Sequence, residues 1–207
     1  MILAFDTSAA HCAAALLIGD RIVASAFEPM EKGQAERLLP LLQEVLAEAG
    51  LGWRDLTALA VGTGPGNFTG VRIAVAAARG LALGLGIPAV GITRLEALAF
   101  GLPRPITVVE DARRCEVYVQ GFGTETSEAL LLDGSDLAHV VATAHVTGSA
   151  AGPAGLPAAV PLAEAMGGGG GDASPGARHH PKMRPLFMRE DGEGKGGDWG
   201  FTTRANL

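Results

Sequence analysis

Gly64-Pro65-Gly66-Asn67-Phe68-Thr69-Gly70-Val71-Arg72-Ile73 constrains this chain more than any other stretch. Leu56 to Val61 reads as a buried strand before it. Val71, Ala74, Val75, Ala78, Leu81, Ala82 and Leu85 recur at helical spacing after it. The segment is therefore a strand-to-helix turn. Gly64 and Gly66 permit backbone angles that a Cβ forbids, Pro65 fixes its own φ, and Asn67 or Thr69 can accept from the first amides of the helix. Two readings stand open, a structural turn and an anion-binding helix start. A Walker loop requires Lys-Ser/Thr at its end, and here Val71-Arg72 follows Gly70.

The preceding chain reads as a meander. Ile2–Phe5, Cys12–Ile18 and Arg21–Phe27 are expected strands, with Gly19-Asp20 as the two-residue hairpin turn. Leu38, Leu39, Leu41, Leu42, Val45 and Leu46 predict an amphipathic helix from Gln34 to Ala49 closed by Gly50, with Pro40 bending its first turn or marking its start. A strand at Ala89–Ile92 completes a mixed sheet with helices against it. A short helix over Leu95–Gly101 then leads to strands Ile106–Val109 and Glu116–Phe122, the start of a second lobe. From Gly148 onward glycine, alanine and proline crowd together, and helix and strand signals fade. The expected domains are a first lobe at 1–102, a reduced second lobe at 103–189 and a flexible glycine-rich tail at 190–207.

With 48% hydrophobic residues in 207, the chain has material for real cores. No eighteen-residue apolar run is uninterrupted and no basic region precedes Met1-Ile2-Leu3-Ala4-Phe5, so neither a membrane span nor a signal peptide is expected, and the expected compartment is the cytoplasm. Cys12 and Cys115 are far apart, which argues against a disulfide framework or zinc ribbon. A net charge of −6 disfavours direct binding of a phosphate backbone, so any nucleic acid is expected to be held by another subunit.

Asp6-Thr7-Ser8 follows the first strand, and Asp111-Ala112-Arg113-Arg114 occupies the comparable place in the second lobe. Asp6, Thr7, Ser8 and Asp111 are either residues of a nucleotide cleft or caps of their turns. Glu110 is adjacent to Asp111, and neighbours in a strand face opposite ways, so the two are no catalytic pair. His11, His139, His145, His179 and His180 show neither HExxH nor i, i+4 pairing, and no metal site is expected. His179-His180 reads instead as a solvated basic patch with Arg178, Lys182 and Arg184. Ser8 lacks a nucleophile elbow, which disfavours a serine hydrolase.

Ile2-Leu3-Ala4-Phe5-Asp6-Thr7-Ser8, Ala35-Glu36-Arg37-Leu38-Leu39-Pro40, the Gly64–Ile73 turn and Asp111-Ala112-Arg113-Arg114-Cys115-Glu116-Val117-Tyr118 together resemble the TsaB (YeaZ) family in order and spacing. Pro185-Leu186-Phe187-Met188-Arg189 is similar to that family's closing Pro-x-Tyr-Leu-Arg. The resemblance implies an α/β, actin-like ATPase (ASKHA, ribonuclease H-like) fold of duplicated lobes, with a mixed five-stranded sheet and a reduced second lobe. It also implies a non-catalytic helper that activates the paralogous TsaD transferase in threonylcarbamoyladenosine formation on tRNA, beside the small ATPase TsaE. TsaD carries a metal-binding H-x-x-x-H, which this chain lacks.

The family pairs through its first-lobe helices, as a heterodimer with the paralogue or a homodimer when alone. That implies Leu38, Leu42, Val45, Val71, Ala74 and Ala78 as the dimer interface. It implies no cofactor of the chain's own, with ATP or ADP at the shared interface, and only indirect contact with tRNA. Gln34-Ala35 stands where the family commonly has a His-Ser pair. The rival reading is an independent nucleotide-binding ATPase or phosphotransferase of the same fold. A metallopeptidase is disfavoured by the missing ligands.

Overall fold

The computed structural model describes residues 1–141 and 143–168. The expected tail, the Pro185–Arg189 match and the basic patch at 178–184 lie outside them. β1 (Ile2–Asp6), β2 (His11–Ile18) and β3 (Arg21–Pro29) form the expected meander. α1 (Gln34–Glu48) then leads to β4 (Ala58–Gly62), α2 (Phe68–Leu85) and β5 (Ala89–Ile92). The five strands lie in the order β3-β2-β1-β4-β5, with β1 antiparallel to β2 and parallel to β4.

Alternation along the strands sorts side chains onto two faces. Leu3, Phe5, Cys12, Ala14, Leu16, Leu59 and Val61 pack against Leu38, Leu42 and Val45 of α1 and Ala74, Ala78 and Ala82 of α2. The opposite face is nearly all alanine: Ala4, Ala13, Ala15 and Ala60, with Leu17. A face of small residues lets a helix approach closely.

α1 starts at Gln34 on a left-handed Gly33 (φ 94°), with no side-chain cap. Gln34 Nε2 reaches back to the Met30 carbonyl at 3.1 Å. Pro40 neither starts nor stops this helix but lies inside it. Pro40 and Glu36, whose carbonyl the missing N–H would have met, are both on the exposed side, where water can serve that carbonyl.

α3 (Arg94–Ala99) opens on a capping box, Glu96 N donating to Thr93 Oγ1 (3.1 Å) and Thr93 N to Glu96 Oε2 (2.8 Å). The 102/103 boundary falls in the loop after it. β6 (Ile106–Arg113), β7 (Glu116–Phe122), β8 (Leu130–Asp133), the single turn α4 (Leu137–Val140) and β9 (His145–Thr147) follow. The second sheet has the order β8-β7-β6-β9, with β6 antiparallel to β7 and parallel to β9. This repeats β3-β2-β1-β4, so the lobes are copies and the second is the shorter. β6 runs to Arg113 rather than stopping at Val109, because a bulge between Asp111 and Arg113 keeps it paired.

α5 (Leu162–Gly168) returns from the second lobe to the alanine face of the first, where Ala163, Ala165 and Met166 are buried. Leu95 and Ala99 of α3 pack with Ile106, Val108 and Phe122 of the second sheet, while Ala97 joins the first-lobe cluster. The lobes are thus held together through α3 and α5.

Candidate functional site

The turn after β1 is closed. Asp6, Thr7 and Ser8 each have 0% exposure. Asp6 Oδ2 accepts from Ser8 Oγ at 3.0 Å and lies 2.8 Å from His11 Nε2, so the imidazole carries its proton on that nitrogen toward the carboxylate. Asp6 Oδ1 is buried with no donor among the described residues. Thr7 Oγ1 donates to the Gly70 carbonyl (2.7 Å), and Asn67 N donates to the Ser8 carbonyl (2.6 Å).

The Gly-Pro segment is what closes it. A Cβ at Gly66 would sit 2.3 Å from the Ser8 carbonyl oxygen, and one at Gly70 would sit 1.9 Å from that of Thr7. Only glycine lets backbone approach backbone here. Asn67 Oδ1 caps α2 by accepting from Thr69 N (2.9 Å) and Gly70 N (3.1 Å). Gly64, Pro65, Gly66, Asn67, Thr69 and Gly70 therefore seat α2 on the β1 turn, with helix-start amides already bonded. Phe68 points outward.

Asp111 takes the second of its two readings, the turn cap. The Ile that opens each equivalent strand, Ile2 and Ile106, sets Asp6 level with Glu110, and it is Glu110 that is buried. Glu110 Oε2 accepts from Arg94 Nε (2.8 Å) and Oε1 from Ser149 N (2.7 Å). Asp111 is exposed and accepts from Arg113 N (2.8 Å), the geometry of a turn cap. Asp6 and Asp111 are not two inward carboxylates. Adjacent acids do face opposite ways, but the inward one is Glu110. A metal-bound nucleotide, the ligand of actin-like ATPases, does not fit these residues: Asp6 is sealed beneath the turn and Glu110 is held by Arg94. Among the described residues no group of three His, Cys, Asp or Glu could hold a metal ion.

None of the six residues that the resemblance implied for the interface lies on the exposed side of its helix. Leu38, Leu42, Val45, Ala74 and Ala78 are buried in the chain's own core, and Val71 is half-buried. The exposed side of α1 carries Leu39, Pro40 and Gln43, and that of α2 carries Phe68, Arg72, Ala76, Gly80 and Leu83. Phe68 is 66% exposed and Leu83 85%. Arg72 lies over the Phe68 ring at 3.7 Å. By length and composition alone α2 could cross a membrane, with 22% of its eighteen-residue window buried, contrary to the expectation of no such segment. Its two arginines interrupt the apolar run without bringing the average below that of a span. A shallow depression lined by Lys32, Gln34, Glu36, Asn67, Thr69 and Ile73 lies between the starts of α1 and α2.

An ionic cluster braces α1 against β3. Arg37 donates to Glu28 from Nε (2.7 Å) and Nη2 (2.6 Å), and to Glu44 from Nη1 (2.7 Å). Hydrogen bonds from its guanidinium hold both carboxyls below the ordinary glutamate range. Burial, with Glu28 nearby, pushes the Cys12 thiol up to about 11.

Two sheets of one repeated strand order, with an acid at the inward end of each first strand, define a duplicated actin-like (ribonuclease H-like) protein. The family model for TsaD, tRNA N6-adenosine threonylcarbamoyltransferase, matches residues 28–149. The tRNA threonylcarbamoyladenosine biosynthesis protein TsaB of Escherichia coli (strain K12) is 41% identical over 122 residues, 56% of this chain and 52% of that protein. An uncharacterized protein of Mycobacterium bovis is 35% identical over 186 residues, 79% of this chain and 86% of that one. The structure of YeaZ from Pseudomonas aeruginosa superposes with a TM-score of 0.62 at 34% identity, covering 71% of this chain and 74% of that chain. The chain belongs to the TsaB (YeaZ) family. It spans about half the length of the E. coli relative it matches.

Proposed function

We propose that this chain is the non-catalytic helper that binds and activates a paralogous TsaD transferase in threonylcarbamoyladenosine formation on tRNA, in the cytoplasm. The names of its relatives supply the pathway. The observation that carries the helper role is the uncovered outer face of α2, where Phe68 and Leu83 stand in solvent on a helix apolar along its length. Large apolar side chains left in solvent at both ends of one helix support a protein contact there. The same face serves a second copy of the chain when the paralogue is absent. TsaE then acts on the assembled pair.

The competing reading, an independent ATPase, requires carboxylates open to a metal-bound phosphate. Asp6 Oδ2 is instead engaged by His11 and Ser8 with Oδ1 buried beneath the turn, and Glu110 gives both oxygens to Arg94 and Ser149. Any ATP or ADP is assigned to the surface shared with the paralogue.

The test is co-purification with the paralogue, together with the modified-nucleoside yield of the reconstituted mixture. Leu83→Glu should abolish co-purification and cut the yield at least tenfold while leaving the melting temperature of the lone chain within about 2 °C, as expected for an exposed site. Full activity of this chain without the paralogue, or unchanged association of the variant, would overturn the reading.

A further inference from the structure

We propose that the Arg113–Arg114 turn is a contact for the phosphodiester backbone of a folded RNA. The inference rests on the reading above and assigns part of the tRNA contact to this chain, where net charge alone disfavours one.

The turn breaks a local rule. Arg113 and Glu116 pair across the end of the β6–β7 hairpin, so Arg114 and Cys115 are its two central residues. Their φ values of 53° and 66° are those of the hairpin turn that favours Asn-Gly. Arg113, at the bulge, has φ 67°, where glycine is the usual occupant. Three consecutive side-chain-bearing residues hold a left-handed backbone that glycine or asparagine would adopt with less strain. Such positions persist where the side chains themselves are used.

The turn is also held firmly. Arg113 N donates to Asp111 Oδ1 (2.8 Å), and Gly134 N donates to the Cys115 carbonyl (2.7 Å). Of the neighbouring acids, Asp111 is bonded to the turn's own backbone and Asp133 Oδ1 accepts from both N and Oγ of Ser135, while Glu116 flanks the turn across from Arg113. Both arginines are exposed, and neither forms an ion pair among the described residues.

Two adjacent guanidiniums on a rigid support suit phosphate oxygens, which they can meet with paired N–H groups. The hairpin tip is convex. Small phosphorylated ligands need a concave site, whereas a polymer backbone can be met by a protruding tip.

The test is a titration of fluorescein-labelled unmodified tRNA transcript at several KCl concentrations between about 50 and 200 mM. It uses the full chain alone and its assembly with the paralogue, as wild type, Arg113→Ala/Arg114→Ala and Arg113→Lys/Arg114→Lys. The alanine pair should weaken binding about tenfold and reduce the slope of log affinity against log salt by about 1 to 2. The lysine pair should keep the slope and lose part of the affinity. Unchanged affinity and slope in the alanine pair, in the chain alone and in the assembly, would overturn the proposal and leave the helper reading intact. An alanine pair that dissociates from the paralogue with no change in RNA binding would also overturn it, pointing to an acidic protein partner. Failure of the wild-type chain to assemble with the paralogue sinks the helper reading instead, and the titration of the chain alone then decides the RNA contact.

Discussion

A methyl group at Gly70 would sit 1.9 Å from the Thr7 carbonyl oxygen, closer than any packed pair of atoms. Gly70→Ala must therefore lift α2 off the β1 turn, breaking the Thr7 bond to Gly70 and the Asn67 bond to Ser8. The expected loss is about 3 kcal/mol in urea unfolding, and a loss under ~0.5 kcal/mol would show the turn is not so held. The two cysteines separate by burial in the same way. Cys115 is exposed and Cys12 is buried with its thiol raised to about 11. At pH 8 a thiol reagent should modify Cys115 at once and Cys12 only on unfolding, because the thiolate is the reactive form. Rapid release of two equivalents from native protein contradicts this. At this scale the sequence showed Gly66 and Gly70, through the density of glycine in one turn, but not Gly62 or Gly148, where a Cβ would lie 1.9 Å from Asp6 Oδ1 and 2.2 Å from the Val109 carbonyl oxygen. It did not show which of Glu110 and Asp111 faces inward, since a strand pattern gives alternation without its origin.

Among the elements, α1 is tied to β3 by the Arg37–Glu28 pair, with Glu44 of α1 holding the same guanidinium. The carboxyls of Glu28 and Glu44 are held below the ordinary value of 4.5 in the folded chain. Their contribution is complete above that value and is lost as pH falls through the folded one. Arg37→Gln should flatten the stability profile below pH 4.5 and leave its shape between about pH 5 and 8 unchanged, a small effect because the groups are exposed. An unaltered acid limb in the variant would exclude the link. The inward phase of α1 was readable as Leu38, Leu41, Leu42, Val45 and Leu46, and that stripe is spent on the chain's own core. The phase of α2 was hidden for another reason: Ala74 and Ala78 face the sheet while Ala76 and Gly80 face solvent, so small residues lie on both sides. Arg72, with the exposed Phe68 and Leu83, marks its outer face.

For the whole molecule, α5 and α3 make two sheets one unit. Met166 is almost fully buried in the cluster of Ala4, Ala13, Ala15, Leu17, Ala60 and Ala97. Met166→Ala should cost about 2 to 4 kcal/mol and lower a single unfolding transition shared by both lobes. Two separated transitions in the calorimetric trace would mean that the lobes unfold independently. α5 escaped sequence reading because Leu162-Ala163-Glu164-Ala165-Met166-Gly167-Gly168 carries few large apolar residues. It needs few, since the surface it meets is itself alanine.

The meander, the strand-to-helix turn and the two helices after it were written in local pattern, because alternation, helical spacing and turn chemistry act over a few residues. The sequence alone also placed the chain beside its family, through motifs whose order survives without any knowledge of contacts. Tertiary structure decided what local pattern cannot carry: which side of an evenly apolar helix meets the sheet, which of two neighbouring acids turns inward, and which distant segment closes the alanine face. Each depends on atoms brought together from far along the chain, as Glu110 is by Arg94 and Leu17 by α5.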